Sequence, residues 1–204
     1  MMFKPIAKLI RQIAADEENI SKTRKNALAH LADTLVDKHK KESFPLIFIC
    51  THNSRRSIFA EVWASVLADH YQLPVKAYSG GTEVTAVHQN TLDCLDNIGF
   101  TIVKQKNRQN PKVQIKYGAD QQLTTFSKLF DDEVNPQQNF SAIMLCDNAA
   151  ENCPFIPNAL QRVNLTFPDP KQFDDTEMES EKYNDGCMQI GSELHFLFRS
   201  LKME

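Results

Sequence analysis

With 204 residues, the chain is long enough for one domain with a sizeable core and an appendage. A net charge of −3 and an isoelectric point near 6.1 give nothing that marks a nucleic-acid binder. Every apolar run is too short to span a membrane, and Arg11, Asp16, Glu17 and Glu18 interrupt any signal-like apolar stretch at the N-terminus. A cytoplasmic protein is therefore expected, in which Cys50, Cys94, Cys146, Cys153 and Cys187 are thiols rather than structural disulfides.

Residues 1–42 read as a helical prelude. Ile6, Leu9, Ile10 and Ile13 recur at helical spacing, and Ser21 is placed to cap a second helix with Ala27, Leu28, Leu31, Ala32, Leu35 and Val36 as its apolar stripe. The basic cluster Lys38, Lys40 and Lys41 falls at its end, where cations complement the helix dipole. The simplest reading is a helical hairpin packed on the main domain, residues 43–204, or on a partner chain.

The run Pro45-Leu46-Ile47-Phe48-Ile49 reads as a buried strand that ends at Cys50. The loop Thr51-His52-Asn53-Ser54-Arg55 follows, then Arg56 and Ser57, and Ile58 to Ala64 reads as helix. A tight loop at a helix N-terminus turns its N–H groups inward and makes a cradle for a tetrahedral oxyanion. A thiol at the lip of such a cradle feels the same field, and helix N-termini and nearby cations can lower a cysteine pKa to roughly 3.5–7.5. Arg56 offers a planar fork for an anion's oxygens, and Ser57 is placed to hydrogen-bond the sulfur from the first turn.

Downstream, Pro74 to Thr82 reads as a strand ending in a glycine turn, and His88 to Phe100 as a helix stopped by Gly99. Cys94 is most simply a small core residue. The segment of about residues 104–140 is polar and broken by Asn110-Pro111, Gly118 and Asn135-Pro136. Within it Val113–Tyr117 alternates like an exposed strand, with Leu123–Leu129 as its returning partner, so an inserted hairpin is expected.

Ala142–Leu145 is the next strand and ends at Cys146; Cys153 follows seven positions later. In a helical segment those two would lie roughly 10 Å apart along the axis at 1.5 Å per residue, whereas a disulfide needs Cα atoms within roughly 7 Å. A bond between them would require the segment to unwind. Arg162 to Phe167 reads as a further strand, leading to Asp169-Pro170 on a loop at its carboxyl end, with Asp174 and Asp175 nearby. Glu177 to Lys202 closes the chain as a helix with Met188, Ile190, Leu194, Phe196, Leu197 and Leu201 turned largely inward. The alternation of strands and helices from residue 45 onward predicts an α/β fold, an open parallel sheet with helices on both faces and the anion loop at the carboxyl ends of its strands.

The stretch from Phe48 to Glu61 resembles the phosphate-binding loop of the low-molecular-weight protein tyrosine phosphatase superfamily, which includes the thioredoxin-coupled arsenate reductases. Leu145 to Pro157 resembles the redox segment of those reductases. The likeness covers roughly residues 45–202 without the insertion, and the family normally begins at its first strand, so the prelude lies outside it. The resemblance implies that Cys50 is the nucleophile, Arg56 the oxyanion clamp and Asp169 the general acid, with Thr51, His52, Asn53, Ser54, Arg55, Arg56 and Ser57 as the anion-binding loop. It implies a relay in which Cys146 attacks Cys50 and Cys153 then attacks Cys146, with thioredoxin as reductant and no tightly bound cofactor. Asn53, Glu61 and Ser79 coincide with positions that help bind potassium in some arsenate reductases. The loop departs from the family pattern at His52, where glycine is usual, at Arg55, where a cysteine or small residue is usual, and at Ile58, where many phosphatases carry proline. A loop glycine often has φ > 0, which a side chain disfavours, although histidine tolerates it better than most. Three readings follow. One is arsenate reduction, another is hydrolysis of phosphomonoesters through a cysteinyl-phosphate, and the third is an idle anion-binding or redox-sensing module. Arsenate and phosphate share charge and shape, so the first two share a first step.

Overall fold

The computed structural model describes residues 1–39, 44–106, 108–152 and 155–203. Cys153 and the Lys40 and Lys41 end of the basic cluster lie outside the described residues. Four parallel strands form the central sheet: β1 (Phe44–Cys50), β2 (Val75–Gly81), β6 (Phe140–Met144) and β7 (Ala159–Asn164), in the order β2-β1-β6-β7. Leu46, Ile47, Phe48 and Ile49 are wholly buried on both faces of β1, as a central parallel strand requires. The chain leaves β1 toward β2 on one side and returns as β6 on the other. The carboxyl end of β1 is thus a topological switch point, the place where an open α/β sheet leaves a crevice.

Helix α3 (Arg56–Tyr71) carries the chain from β1 to β2, and α4 (Gln89–Asn97) leaves β2 with His88 as its N-cap. The long C-terminal helix α6 (Glu179–Met203) packs against α3 and α4. It also receives α1 (Lys4–Asp16) and α2 (Lys22–His39), which share one apolar core with the rest of the chain. Ser21 caps α2 as its sequence suggests, accepting the Arg24 N–H at 3.2 Å. Arg24 ties that helix inward: its Nε donates to Glu193 Oε2 at 2.6 Å and its Nη2 to the Thr166 carbonyl at 3.0 Å. Glu17, just beyond α1, reaches His195 Nδ1 at 2.5 Å and Arg199 at 2.8 Å on α6. Among the described residues no helix is long and apolar enough to cross a membrane.

The hairpin of the insertion does not stand alone: β3 (Thr101–Lys104), just before it, joins β4 (Val113–Lys116) and β5 (Gln122–Thr125) in a three-stranded antiparallel sheet, and the returning strand stops at Thr125, short of the expected Leu129. β3 escaped the sequence reading because Thr101–Lys104 faces solvent for most of its length and shows no inward alternation. The chain then runs beside β2: Gly81 N–H donates to Lys128 O at 2.8 Å, and Phe130 N–H to Gly81 O at 3.0 Å. Glycine is required there, since a Cβ on Gly80 would lie 2.4 Å from Phe130 Cα and one on Gly81 2.7 Å from Thr51 O. β7 also differs from expectation, starting at Ala159 rather than Arg162 and ending at Asn164. Its half-exposed face gives no continuous apolar run to mark the start.

The two glycines of α6 separate packing from propensity. A Cβ on Gly191 would meet Trp63 Cε2 at 2.7 Å, whereas one on Gly186 meets nothing within 4 Å. Gly191→Ala is expected to lower stability by about 1–3 kcal/mol through overpacking, and Gly186→Ala to raise it by about 0.5–1 kcal/mol through backbone entropy. Opposite shifts of the urea midpoint at constant slope would verify the pair.

Candidate active site

β1 delivers Cys50 to the crevice and α3 begins at Arg56, so the intervening residues must turn sharply. The residue that adopts the left-handed conformation is Asn53, with φ 46°, and not His52. Asparagine visits this region more readily than most side chains, and here the bend is pinned from both ends of the amide. Asn53 Nδ2 donates to Ser57 Oγ at 2.8 Å, and Asn53 Oδ1 accepts the Lys128 N–H at 3.0 Å. His52 contributes its carbonyl to Ser127 Oγ at 2.8 Å, while its ring stands 3.4 Å from Glu83. Ser57 Oγ lies 3.1 Å from Cys50 Sγ. Since the Asn53 amide nitrogen can only donate, the single Ser57 hydroxyl proton is left to point at the sulfur.

Arg56 is buried beneath the loop. Its Nη1 donates to Phe167 O at 3.0 Å and its Nη2 to Asp169 Oδ2 at 2.5 Å, while its buried Nε has no protein partner among the described residues. Asp169 caps the short 3-10 turn Pro170–Phe173 through the Lys171 N–H. Cys50, His52, Ser54, Arg55, Arg56 and Asp169 line a cavity of about 10 Å³. That is room for about one water, because the Asp169 carboxylate occupies part of the fork that an oxyanion would take. A much larger cavity, about 590 Å³, lies elsewhere, between the N-terminal helices and α6.

The second sulfur arrives from the neighbouring strand. Cys146 is buried just past β6, and its Sγ lies 3.5 Å from Thr51 Oγ1 in the anion loop. It also accepts the Ala149 N–H at 3.4 Å, at the start of the six-residue helix α5 (Asp147–Asn152). Cys153 would follow α5 and is outside the described residues. Cys94 and Cys187 are both buried and free. Burial pushes the Cys187 thiol up, and its hydrogen bond with Cys94 adds to the shift, so Cys187 is held away from thiolate chemistry.

The three oxygens matched to a potassium site all have protein partners. Glu61 Oε2 accepts from Ser79 Oγ and from Thr125 Oγ1, each at 2.6 Å, and Asn53 is committed to Ser57 and Lys128. Among the described residues no group of three or more His, Cys, Asp or Glu side chains could hold a metal ion.

Arg55 has partners that local sequence gives no way to find. Its Nε donates to Tyr183 Oη at 2.5 Å and its Nη2 to Asp174 Oδ2 at 2.5 Å, both more than a hundred residues away. Burial raises the Tyr183 phenol, and its hydrogen bond to Asp174 adds to this. His88, stacked on the Tyr183 ring, is biased toward the neutral form first by burial and then by the Arg55 charge. Ser127 and Lys128 were equally hidden, since nothing in a polar insertion marks which residues return to the loop.

No family model matches the chain. An arsenate reductase of Halalkalibacterium halodurans is 30% identical over 135 residues, 66% of this chain and 79% of that protein. One from Staphylococcus epidermidis is 29% identical over 126 residues, 61% of this chain and 77% of its own length. Among solved structures, a low-molecular-weight phosphotyrosine phosphatase of Vibrio cholerae superposes with a TM-score of 0.54 at 15% identity, over 78% of this chain and 96% of that one. An arsenate reductase in its phosphate-bound state does so with a TM-score of 0.51 at 18% identity, over 78% and 98%. These structures share the α/β fold, and the sequence relatives reach across most of their own length. The chain is thus an enzyme that belongs to the arsenate reductase family its sequence matches, with a fold shared with low-molecular-weight phosphotyrosine phosphatases.

Proposed function

We propose that the chain reduces arsenate, using Cys50 as nucleophile and Cys146 and Cys153 as a relay that thioredoxin resets in a reducing, cytoplasmic setting. The observation that carries this reading is the approach of Cys146 Sγ to the anion loop, 3.5 Å from Thr51 Oγ1. Hydrolysis through a cysteinyl-phosphate needs a nucleophile, a clamp and an acid, but no second thiol beside them.

Arsenate enters by replacing the Asp169 carboxylate on the Arg56 fork, and the unpaired Arg56 Nε offers a further donor beside it. Loop N–H groups from Thr51 to Ser57 take the remaining oxygens. The Cys50 thiolate, held by Ser57, attacks arsenic; an S–As bond forms as an As–O bond breaks, and Asp169 protonates the departing oxygen. The Cys146 thiolate then attacks Cys50 Sγ. The electron pair of the S–As bond stays on arsenic, which leaves as arsenite, and two thiols have become one disulfide. Cys153 attacks Cys146, freeing Cys50, and the Cys146–Cys153 bond is reduced by a dithiol of thioredoxin. Helix α5 stands between those two cysteines and must open for them to meet. Six residues of helix are marginal on their own, so the cost of opening is small.

Arsenite production coupled to thioredoxin is the deciding measurement. Cys50→Ser should yield no product; Cys146→Ala should release no arsenite either, because arsenic takes its electron pair only when Cys146 attacks, and Cys153→Ala should stop after about one turnover at the Cys50–Cys146 disulfide. Full turnover in both of those variants contradicts the relay, and aryl-phosphate hydrolysis untouched by either would assign a phosphatase instead. The Ser57 hydrogen bond to the sulfur is checked separately. A bond to a charged group is worth about 1.5–3 kcal/mol, so Ser57→Ala should slow the first half-reaction by about 10–100-fold. A single-turnover rate equal to that of the wild type would remove Ser57 from the mechanism.

A further inference from the structure

The anion loop presents two consecutive arginines, and the mechanism above uses only Arg56. Arg55 is equally well buried, 9% exposed against 8%. Its Nε and Nη2 hold Tyr183 Oη and Asp174 Oδ2, and the Tyr183 hydroxyl donates to the other Asp174 oxygen at 2.6 Å, closing a ring of three side chains. His88 Nδ1 lies 3.3 Å from the same phenol oxygen. Asp174 is the residue that ends the 3-10 turn Pro170–Phe173, and Asp169 is the residue that begins it. Adjacent arginines therefore grip opposite ends of the single turn that carries the acid: Arg56 at Asp169, Arg55 at Asp174.

A 3-10 turn of four residues has poor hydrogen-bond geometry and little stability of its own. Pro170 is buried, but Lys171 and Gln172 are exposed and the Asp169 side chain is 38% exposed, so packing alone does not fix the carboxylate. Its position must come from the two ends. A general acid has to stand within hydrogen-bond reach of the oxygen it protonates, and a misplacement of about 1 Å can cost about 100-fold in rate. Arg55 suits the distal anchor because a planar guanidinium satisfies a carboxylate and a phenol at once, which an ammonium at the same place would not.

Resting on the reading of Cys50 as nucleophile and Asp169 as acid, we infer that Arg55, Asp174 and Tyr183 form a positioning set that holds Asp169 over the anion cradle without touching the substrate. Arg55 thus serves the acid, although it lies in the loop and lines the same cavity.

The test measures arsenate turnover and the cleavage of aryl phosphates graded in leaving-group acidity, for wild type, Arg55→Met, Tyr183→Phe and Asp169→Asn, with thermal unfolding of each. Arg55→Met should lower kcat by about 10–100-fold with KM changed by no more than about twofold. Its loss should steepen as the leaving group becomes poorer, in parallel with Asp169→Asn. Tyr183→Phe removes one oxygen and should show the same pattern more weakly; it carries the test if Arg55→Met does not fold. A raised KM with kcat preserved would make Arg55 an anion ligand and overturn the inference, as would equal losses for every leaving group. If Asp169→Asn keeps the wild-type dependence on leaving group, Asp169 is not the acid, and the underlying reading falls whatever Arg55 does.

Discussion

The parallel pairing of β1 with β6 is the constraint from which the site follows. Ile49 lies opposite Met144, and Leu145 N–H donates to Ile49 O at 2.7 Å just where both strands stop. Cys50 is the last residue of one strand and Cys146 stands two residues beyond the other. Two strands that run the same way and end at the same level open one crevice between them, and their departing chains line it. Because β1 and β6 are buried on both faces, the register cannot slip by a residue without turning core side chains over. The meeting of the anion loop with a second thiol is therefore fixed by the hydrophobic core.

The loop itself is held by parts of the chain that have nothing to do with the sheet. Ser127 and Lys128 follow the inserted antiparallel sheet and take the His52 carbonyl and the Asn53 amide oxygen. The second bond falls on Asn53, the loop residue with positive φ, and the first on the carbonyl just before it, where a strained backbone most needs outside support. The insertion is thus built into the cradle: Phe130 leaves no room for a Cβ at Gly80, while the loop backbone at Thr51 leaves none at Gly81.

What was legible in the sequence was whatever is local. The strand, the loop and the first turn of α3 occupy a single stretch, and hydrophobic periodicity with cap chemistry is enough to read them. The Asp169-Pro170 pair and the Gly99 stop are of the same kind. The two helices of the prelude were readable for the same reason, but where they pack was not: each lies against α6 rather than the pair forming a hairpin on its own. Contacts of long sequence separation leave no periodic trace, so Tyr183, Ser127 and Lys128 stayed hidden, although Asp174 was at least noticed as an acid close to Asp169. The transfer of positive φ from His52 to Asn53 has a different cause. Both residues tolerate it, and the choice was made by partners: Asn53 alone has both a donor and an acceptor that the surrounding residues complete. β3 and the start of β7 were missed where a strand turns a polar or half-exposed face outward.

Phe167 shows why the N-terminal helices are more than a covering. Its carbonyl accepts from Arg56 in the anion loop, and its ring lies under the guanidinium of Arg24 from α2, 4.9 Å from carbon to centroid. The neighbouring Thr166 carbonyl takes Arg24 as well. The segment that leads to Asp169 is therefore gripped from below by the loop and from the side by the prelude. Arg24 is itself fixed by Glu193 on α6, the helix that carries Tyr183 to Arg55. A helix holds its side chains at set angles and heights, so a displacement of α6 would reach the acid turn by two routes at once, through Tyr183 at one end and through Arg24 and Thr166 at the other. Sequence likeness treats residues 1–42 as an addition to the family core; the hydrogen bonds make their second helix part of the frame that leads to Asp169.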